Sequence, residues 1–176
     1  RLMGRVKNAH NAWRDLRLRG RDGFAALNAK ELGFLKSVEA MNRNLVALAR
    51  ATRPHLAVVD AFVAMHREGP RHGTPLRLRT VVAGIDPVAV DSVAAAIMGF
   101  DPRRIGYLVQ ADLAGLGLAD LDAIEVVGES IAAVRRRCVP HSNIFVQRHW
   151  DRLQPRSALR GPHFAMASQR SRGEVT

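Results

Sequence analysis

The chain has 176 residues, 47% of them hydrophobic and 24% charged, which is typical of one globular domain and excludes a disordered chain. Its one cysteine, Cys138, excludes an internal disulfide and any iron–sulfur cluster that this chain ligates alone. No apolar run approaches the roughly 18 residues of a membrane-spanning helix and no signal peptide is visible, so we predict a cytoplasmic protein without a membrane partner.

The formal net charge of +11 comes from the two flanks of the chain. Residues 1–53 carry 12 Lys and Arg against 4 Asp and Glu, residues 135–176 carry 9 against 2, and the middle carries 6 against 10. Aromatic residues make up only 5% and no nucleic-acid-binding motif occurs, so we interpret the charge as solvated surface rather than a nucleic-acid interface. Clustered cations still permit sequence-independent phosphate contacts, which keeps the second interpretation open.

The first part of the chain predicts a long helix and a buried strand. Residues 1–29 lack periodicity, which indicates a loop with a short helix. Apolar residues then recur at three- and four-residue spacings from Lys30 to Arg53, which predicts an amphipathic helix that Pro54 ends. Residues 55–60 are a short apolar run, typical of a buried parallel strand.

The following part predicts alternating strands and helices. Asp86-Pro87 and Asp101-Pro102 each place an N-cap before a proline at the first helical position, so each opens a predicted helix. The predicted elements are a Gly- and Pro-rich loop at residues 65–75, a strand at 78–84, helices at 87–98 and 102–114, and a third strand at 122–128.

Strand–helix–strand alternation predicts an α/β fold with a mixed or mainly parallel sheet flanked by helices. We assign residues 1–135 to this α/β domain, with its core at 54–130. Residues 136–176 are predicted to be a basic C-terminal extension that is peripheral and partly disordered from about residue 141, where apolar periodicity is lost.

Four carboxylates are candidates for chemistry. Apart from Ser92, Asp91 is the only polar residue inside its helix, and a buried carboxylate needs hydrogen bonds, a cation or a shifted pKa. Because ligands of open α/β sheets bind beyond the carboxyl ends of strands, we expect Asp60, Glu68, Asp86 and Asp91 to converge. Asp86 and Asp91 are then the predicted catalytic pair, and Asp60 and Glu68 the predicted ligands of a divalent metal. Helix caps and structural pairs are the alternative roles.

The predicted loop after Glu68 is a second candidate site. Its glycines expose backbone N–H groups near two arginines, an arrangement that binds anions. We therefore predict cofactor-binding roles for Gly69, Pro70 and Gly73, with a solvated surface loop as the alternative.

The order and spacing of these motifs resemble the domain of unknown function 362 family. The resemblance covers about residues 5–130. It is carried by the segments 54–61 (PHLAVVDA), 68–75 (EGPRHGTP), 83–91 (AGIDPVAVD), 98–102 (MGFDP) and 124–129 (IEVVGE), and Lys7-Asn8 looks like the Lys-Asn pair that precedes this region in the family.

The resemblance implies an α/β fold whose N-terminal strands lie upstream of Arg1, leaving an unpaired sheet edge through which the chain can oligomerise. It also implies cofactor contacts for Lys7 and Asn8. Some family members occur with iron–sulfur ferredoxin modules, which implies a ferredoxin-like electron carrier as a partner and places any cluster on another chain.

Three hypotheses about function follow. The first is a redox-linked or metal- or cofactor-handling enzyme domain with an acidic site at a sheet end. The second is a non-catalytic binding or scaffold module whose basic flanks hold an acidic partner or nucleic acid. The third is a chain that cannot act alone because its sheet lacks a strand. The sequence names no reaction, substrate or cofactor.

Overall fold

The computed structural model describes residues 23–154. Within this range the main elements are α1 (Ala29–Thr52), β1 (Ala57–Glu68), β2 (His72–Gly84), α2 (Pro87–Ile97), α3 (Gly106–Leu113), α4 (Ile131–Val134) and α5 (Ile144–Gln147). Short 3₁₀ turns occupy Pro102–Arg104, Leu121–Ala123 and Trp150–Leu153. No helix of the described range is long and apolar enough to cross a membrane.

Helix α1 confirms the first predicted helix. It begins at a capping box, in which the Asn28 side chain accepts a hydrogen bond from the Glu31 backbone and the Glu31 side chain accepts one from the Asn28 backbone. It ends before Arg53, whose φ of 38° leaves the helical region ahead of Pro54. The helix packs against α3, α5 and the last 3₁₀ turn.

Strands β1 and β2 form one antiparallel hairpin. Both predicted strands are confirmed, but the loop predicted at residues 65–75 is wrong, because Glu68 still pairs with His72 and Met65 with Pro75. Proline is tolerated there because β2 borders a strand on one side only within the described range, so its nitrogen can face the open edge. Between Ala61 and Val63 the register shifts by one residue.

Helix α2 covers the inner face of the hairpin. Asp86 caps it as predicted, and seven of its residues are buried, which confirms the expected apolar helix. Val93 and Ile97 pack with Ala61 of β1 and Leu78 of β2. The helix also contacts α3 on its other side, so it is enclosed between the hairpin and the helical layer.

The third predicted strand is wrong. Residues 121–123 form a 3₁₀ turn, and residues 124–127 carry no ladder pairing, although Ile124 has extended dihedral angles. The protein is an α/β structure, but the sheet of residues 23–154 has two antiparallel strands, so a mixed or mainly parallel sheet is not confirmed. A strand forms only where a neighbour completes its backbone hydrogen bonds, and none of the residues 23–154 lies alongside as such a neighbour.

The segment after residue 141 differs from the prediction. Phe145, Val146 and Trp150 are buried and form a core cluster with Leu35 of α1 and Val109 of α3. The predicted peripheral position is therefore wrong for residues 144–153. Short apolar clusters such as Ile-Phe-Val give no helical period over four residues, which is why their burial was missed.

Candidate functional site

Asp86 is held by three backbone N–H groups. Its Oδ1 accepts from Val88 at 2.9 Å and Ala89 at 3.0 Å, and its Oδ2 accepts from Leu118 at 2.9 Å. A side chain at Gly117 would collide with this carboxylate, because an added Cβ would lie 2.0 Å from Oδ1. Asp86 thus fastens the start of α2 to the loop after α3, which is a structural role.

Asp91 pairs with a tyrosine that sequence reasoning missed. The Tyr107 hydroxyl donates to Asp91 Oδ2 at 3.0 Å, joining α2 to α3. Burial raises the pKa of Tyr107, and the neighbouring Asp91 charge adds to the effect, so the phenol stays protonated and donates. Asp91 is half-buried, and this hydrogen bond gives it the partner that a carboxylate in an apolar helix needs.

Asp60 and Glu68 lie far apart on the same strand. They are eight positions apart, which corresponds to about 26 Å of extended chain. Asp60 is exposed and accepts from the Phe62 N–H at 2.8 Å beside the register shift. Glu68 accepts from the backbone and hydroxyl of Ser142, at 2.9 and 3.0 Å, and lies 3.3 Å from His141 Nε2.

The predicted cofactor loop is the tip of the hairpin. Gly69 and Pro70 form its turn, and Gly73 pairs with Arg67 at the start of β2. Lys7 and Asn8 lie outside the described residues.

The four carboxylates do not form one site. Asp86 follows the last residue of β2, at the open end of the hairpin, whereas Glu68 lies at the opposite end, beside the hairpin turn. Within residues 23–154 no three His, Cys, Asp or Glu side chains are grouped so that they could hold a metal ion. The expected convergence is therefore wrong, while the roles proposed for the individual residues stay predictions.

A cavity of about 650 Å³ lies along β2 instead. One wall is six consecutive residues of β2, 79–84, and the other is the segment 123–129. Side chains of α2 that include Val90, Val93 and Ile97 also line it, and these three are only 3–6% exposed. Asp86, Arg79, Glu125 and Glu129 are the charged residues at its walls. We call this cavity the slot.

The hairpin also exposes large apolar side chains on a face that it shares with the exposed Asp60 and Arg77, the cross-strand partners of Val81 and Val63. Five large apolar side chains that point away from α2 are between 49% and 64% exposed; they are Val58, Phe62, Val63, Met65 and Val81, and we call them the outer face. Large apolar side chains grouped on a solvent-facing surface often mark a binding site. The nearly continuous apolar run of residues 58–65, which Asp60 alone interrupts, could have indicated that both faces of β1 carry apolar side chains, had β1 been predicted at its full length.

A buried polar cluster on α1 was also missed. Glu39 is 4% exposed and its carboxylate accepts from the Gln110 amide at 3.1 Å, with Gln154 as a second donor. Asn42 is 7% exposed and its Nδ2 has no hydrogen-bond partner within the described chain. Leu35, Glu39 and Asn42 share one face of the helix, since they are spaced at i, i+4 and i+7. This spacing could have indicated from the sequence that the two polar residues are buried beside Leu35.

These features define the class of structure, which is a two-layer α/β unit with an open sheet face and an apolar slot. The family model of the domain of unknown function DUF362 matches residues 2–96, more than half of the chain. The chain therefore belongs to the DUF362 family.

A similar curated protein is the thylakoid-associated protein sll1697 of Synechocystis sp., which is 31% identical over 81 residues. The match covers 46% of this chain and 25% of that protein, so the chain spans only a quarter of its relative. No solved structure matches.

Proposed function

We propose that this chain is a docking module that assembles with another polypeptide through its open sheet face. The observation that carries the proposal is the outer face, because the solvent side of an antiparallel sheet is usually polar, whereas five side chains on this one are large and apolar. Burying its five half-exposed side chains is worth about 1 kcal/mol each. The sum of about 5 kcal/mol only matches the low end of the ~4–15 kcal/mol that association costs, so a stable complex needs further surface.

Helix α1 offers such further surface. Met41, Leu45 and Leu48 recur at i, i+4 and i+7 and are 58%, 39% and 59% exposed. The polar residues Glu39 and Asn42 are buried on the face that packs against the described protein. An apolar stripe that faces away from the protein's own core is typical of a helix that packs against a partner.

Position-specific photo-cross-linking tests the proposal. A photoreactive phenylalanine analogue is placed at Val58 or Val63 on the outer face, or at Lys36 on the exposed polar side of α1 as the matched control, in cells that make the protein. We expect one dominant adduct with a defined polypeptide from positions 58 and 63, and none from position 36. The adduct should disappear when Val81→Lys is added, since a charge in the interface opposes burial.

The salt dependence of binding separates this proposal from docking through the basic flanks. If docking is apolar, the affinity for the cross-linked partner should change little between ~50 and ~200 mM NaCl. A flank that neutralises several phosphates would lose on the order of 10³-fold over the same range. A loss of that size would contradict the outer face as the main contact.

The slot favours a second candidate function, cofactor handling. Its volume of about 650 Å³ falls within the range of ligand pockets, about 300–1,000 Å³, and its walls combine apolar side chains with a few charged groups. A redox-linked enzyme supplied by a ferredoxin-like carrier would bind its cofactor here. This candidate does not use the convergent acidic metal site expected from the sequence.

Metal analysis and absorbance of anaerobically purified protein test that candidate. The matched variant is Ala89→Leu, which fills part of the slot without removing a charged group. A stoichiometric metal or chromophore that is lost in the variant supports cofactor handling. Protein that is empty and colourless in both forms leaves docking as the favoured function.

Two further expectations belong to this proposal. A sheet with additional, mainly parallel strands is expected when the module is assembled, because the described sheet has only two strands. A cytoplasmic location is also expected, and cell fractionation tests it against association with thylakoids, which the name of the relative gives for that protein.

A further inference from the structure

Two charged side chains lie between the apolar side chains of the outer face. Arg77 is the cross-strand partner of Val63 and Asp60 that of Val81, so each charge lies directly beside a valine of the outer face. The Cβ atoms of such partners are about 4.5–5.5 Å apart. All four side chains are exposed. A partner that covers Val63 and Val81 therefore also removes water from Arg77 and Asp60.

Neither charge is neutralised within the described part of the chain. The Arg77 guanidinium group has no ion pair or hydrogen bond with any residue of the range 23–154. Asp60 accepts the Phe62 N–H at 2.8 Å and has no cation beside it in the same range. A charge that loses its water without gaining an opposite charge opposes binding. The outer face therefore requires a partner that supplies a carboxylate opposite Arg77 and a cation opposite Asp60.

The charges are distributed unequally along the hairpin. Arg67 follows Met65 at the next outward position of β1, and Arg71 lies in the turn itself. Together with Arg77 they place the positive charge in the half of the hairpin toward the turn, whereas Asp60 lies in the half toward the open end. Complementary charges fix the orientation in which two surfaces meet. A partner with its carboxylates toward the turn is therefore favoured in one orientation.

We propose that the outer face receives an acidic polypeptide surface with an apolar centre, whose carboxylates meet Arg77 and Arg67 and whose Lys or Arg meets Asp60. This inference rests on the proposed docking function and states the chemistry of the partner. Apolar contacts around Val63 and Val81 contribute affinity, while the ion pairs select the partner and its orientation. Ion pairs enclosed by apolar side chains are screened much less than exposed ones, which agrees with the weak salt dependence expected of this docking.

The two parts of the chain outside residues 23–154 do not have this chemistry. Residues 1–22 carry 7 Lys and Arg against 2 Asp, and residues 155–176 carry 4 Arg against 1 Glu. Both segments are therefore net positive and would bring further cations to Arg77 and Arg67. Like charges in contact oppose binding, so a separate polypeptide fits the outer face better than either segment.

A phosphate-rich partner is also disfavoured. Its regular negative charges would meet the carboxylate of Asp60, and Phe62 is the one Phe, Tyr or Trp of residues 57–84 on which a base could stack. A second copy of the chain has acidic side chains at Asp122, Glu125 and Glu129. Self-association is therefore the main alternative that the experiment has to separate.

Charge reversal combined with photo-cross-linking tests the inference in cells that make the protein. The photoreactive residue replaces Val63, and Arg77→Glu, Arg77→Lys or Lys36→Glu is added. Lys36→Glu makes the same change in net charge as Arg77→Glu, but on the exposed polar side of α1. We expect Arg77→Glu to lower the adduct yield by at least about tenfold, because its carboxylate repels those of the partner. Lys36→Glu and Arg77→Lys should keep the yield within about threefold, since both leave a cation at position 77.

The cross-linked peptide identifies the complementary charge. Mass spectrometry of the adduct should locate an Asp or Glu of the partner close in sequence to the cross-linked residue. Replacing that acidic residue by Lys should restore the adduct with Arg77→Glu and lower its yield with the parent protein. A loss caused only by misfolding of Arg77→Glu would not be restored in this way.

The other outcomes overturn the inference in distinguishable ways. An adduct yield that Arg77→Glu leaves unchanged would exclude an acidic partner and leave the docking function standing. An adduct of two copies of the chain would assign the outer face to self-association, and a cross-link within one chain would assign it to the chain's own segments. An adduct that nuclease removes would assign it to nucleic acid. No adduct at positions 58 and 63 would contradict the docking function itself.

Discussion

The Asp86 side chain caps helix α2 and also joins this helix to the loop after α3. Its bond to Leu118 joins residues that lie 32 positions apart. A capping signal is local, so it can be read from Asp86-Pro87, whereas the approach of Gly117 depends on how the loop after α3 folds back. The same limit applies to Asp91, whose partner Tyr107 lies on another helix.

Replacing Asp86 by alanine should lower the free energy of unfolding by about 2–3 kcal/mol, because three N–H groups lose their acceptor. Asp101→Ala, at a cap that accepts one backbone N–H bond and a solvent-exposed ion pair from Arg103, should cost only about 1 kcal/mol. Urea unfolding of both variants measures the difference. Equal losses would contradict the additional role of the Leu118 contact.

His149 is a second residue whose behaviour follows from burial. Burial lowers its pKa, the charge of Asp151 opposes that effect, and Arg148, Arg152 and Arg104 add to it. Its buried Nε2 has no hydrogen-bond partner within residues 23–154. The folded protein therefore binds a proton at His149 less readily than the unfolded chain does.

The lowered pKa gives a defined pH dependence. The stability contributed by neutral His149 is fully present above the unfolded pKa of about 6.5 and is lost as the pH falls through the folded pKa. His149→Phe, which keeps a ring against Phe24, should flatten the fall in unfolding free energy between about pH 7.5 and 5. Identical slopes for variant and parent, measured by urea unfolding at each pH, would contradict this origin.

At the scale of elements, the position of helix α1 was predictable from the sequence, whereas the face that this helix buries was not. The spacing of apolar residues located α1 to within one residue at each end, but its stripe of Met41, Leu45 and Leu48 is exposed. The spacing of apolar residues shows which face of a helix is able to be buried. The face that is in fact buried depends on which elements pack against the helix. Gly and Pro content likewise misplaced the hairpin tip, because an edge strand tolerates both.

The C-terminal helical segment should contribute strongly to stability. Trp150 is 3% exposed, packs in the cluster of Leu35 and Phe145, and donates its indole N–H to the Arg104 carbonyl at 3.1 Å. Trp150→Ala should therefore cost about 3–5 kcal/mol. The exposed Arg152→Ala serves as the control and should change the unfolding free energy by less than about 0.5 kcal/mol. A loss below about 1 kcal/mol for Trp150→Ala would restore the peripheral interpretation.

At the scale of the whole molecule, the α/β class and the family were predictable, whereas the sheet was not. Strand propensity at residues 122–128 is a local property, but pairing requires a neighbour that residues 23–154 do not supply. The expected acidic site failed for a related reason, because it assumed parallel strands whose ends meet at one edge. In an antiparallel hairpin Asp60 and Glu68 lie along one strand and cannot converge.

The open outer face and the slot have one explanation at this scale: both are surfaces that an assembled α/β sheet would bury. The measurement that tests this account most directly is the cross-linking yield at Val58 compared with that at Lys36. We predict one dominant polypeptide adduct at position 58, no adduct at position 36, and loss of the first when Val81→Lys is added. Equal yields at the two positions, or no adduct at position 58, would contradict the account.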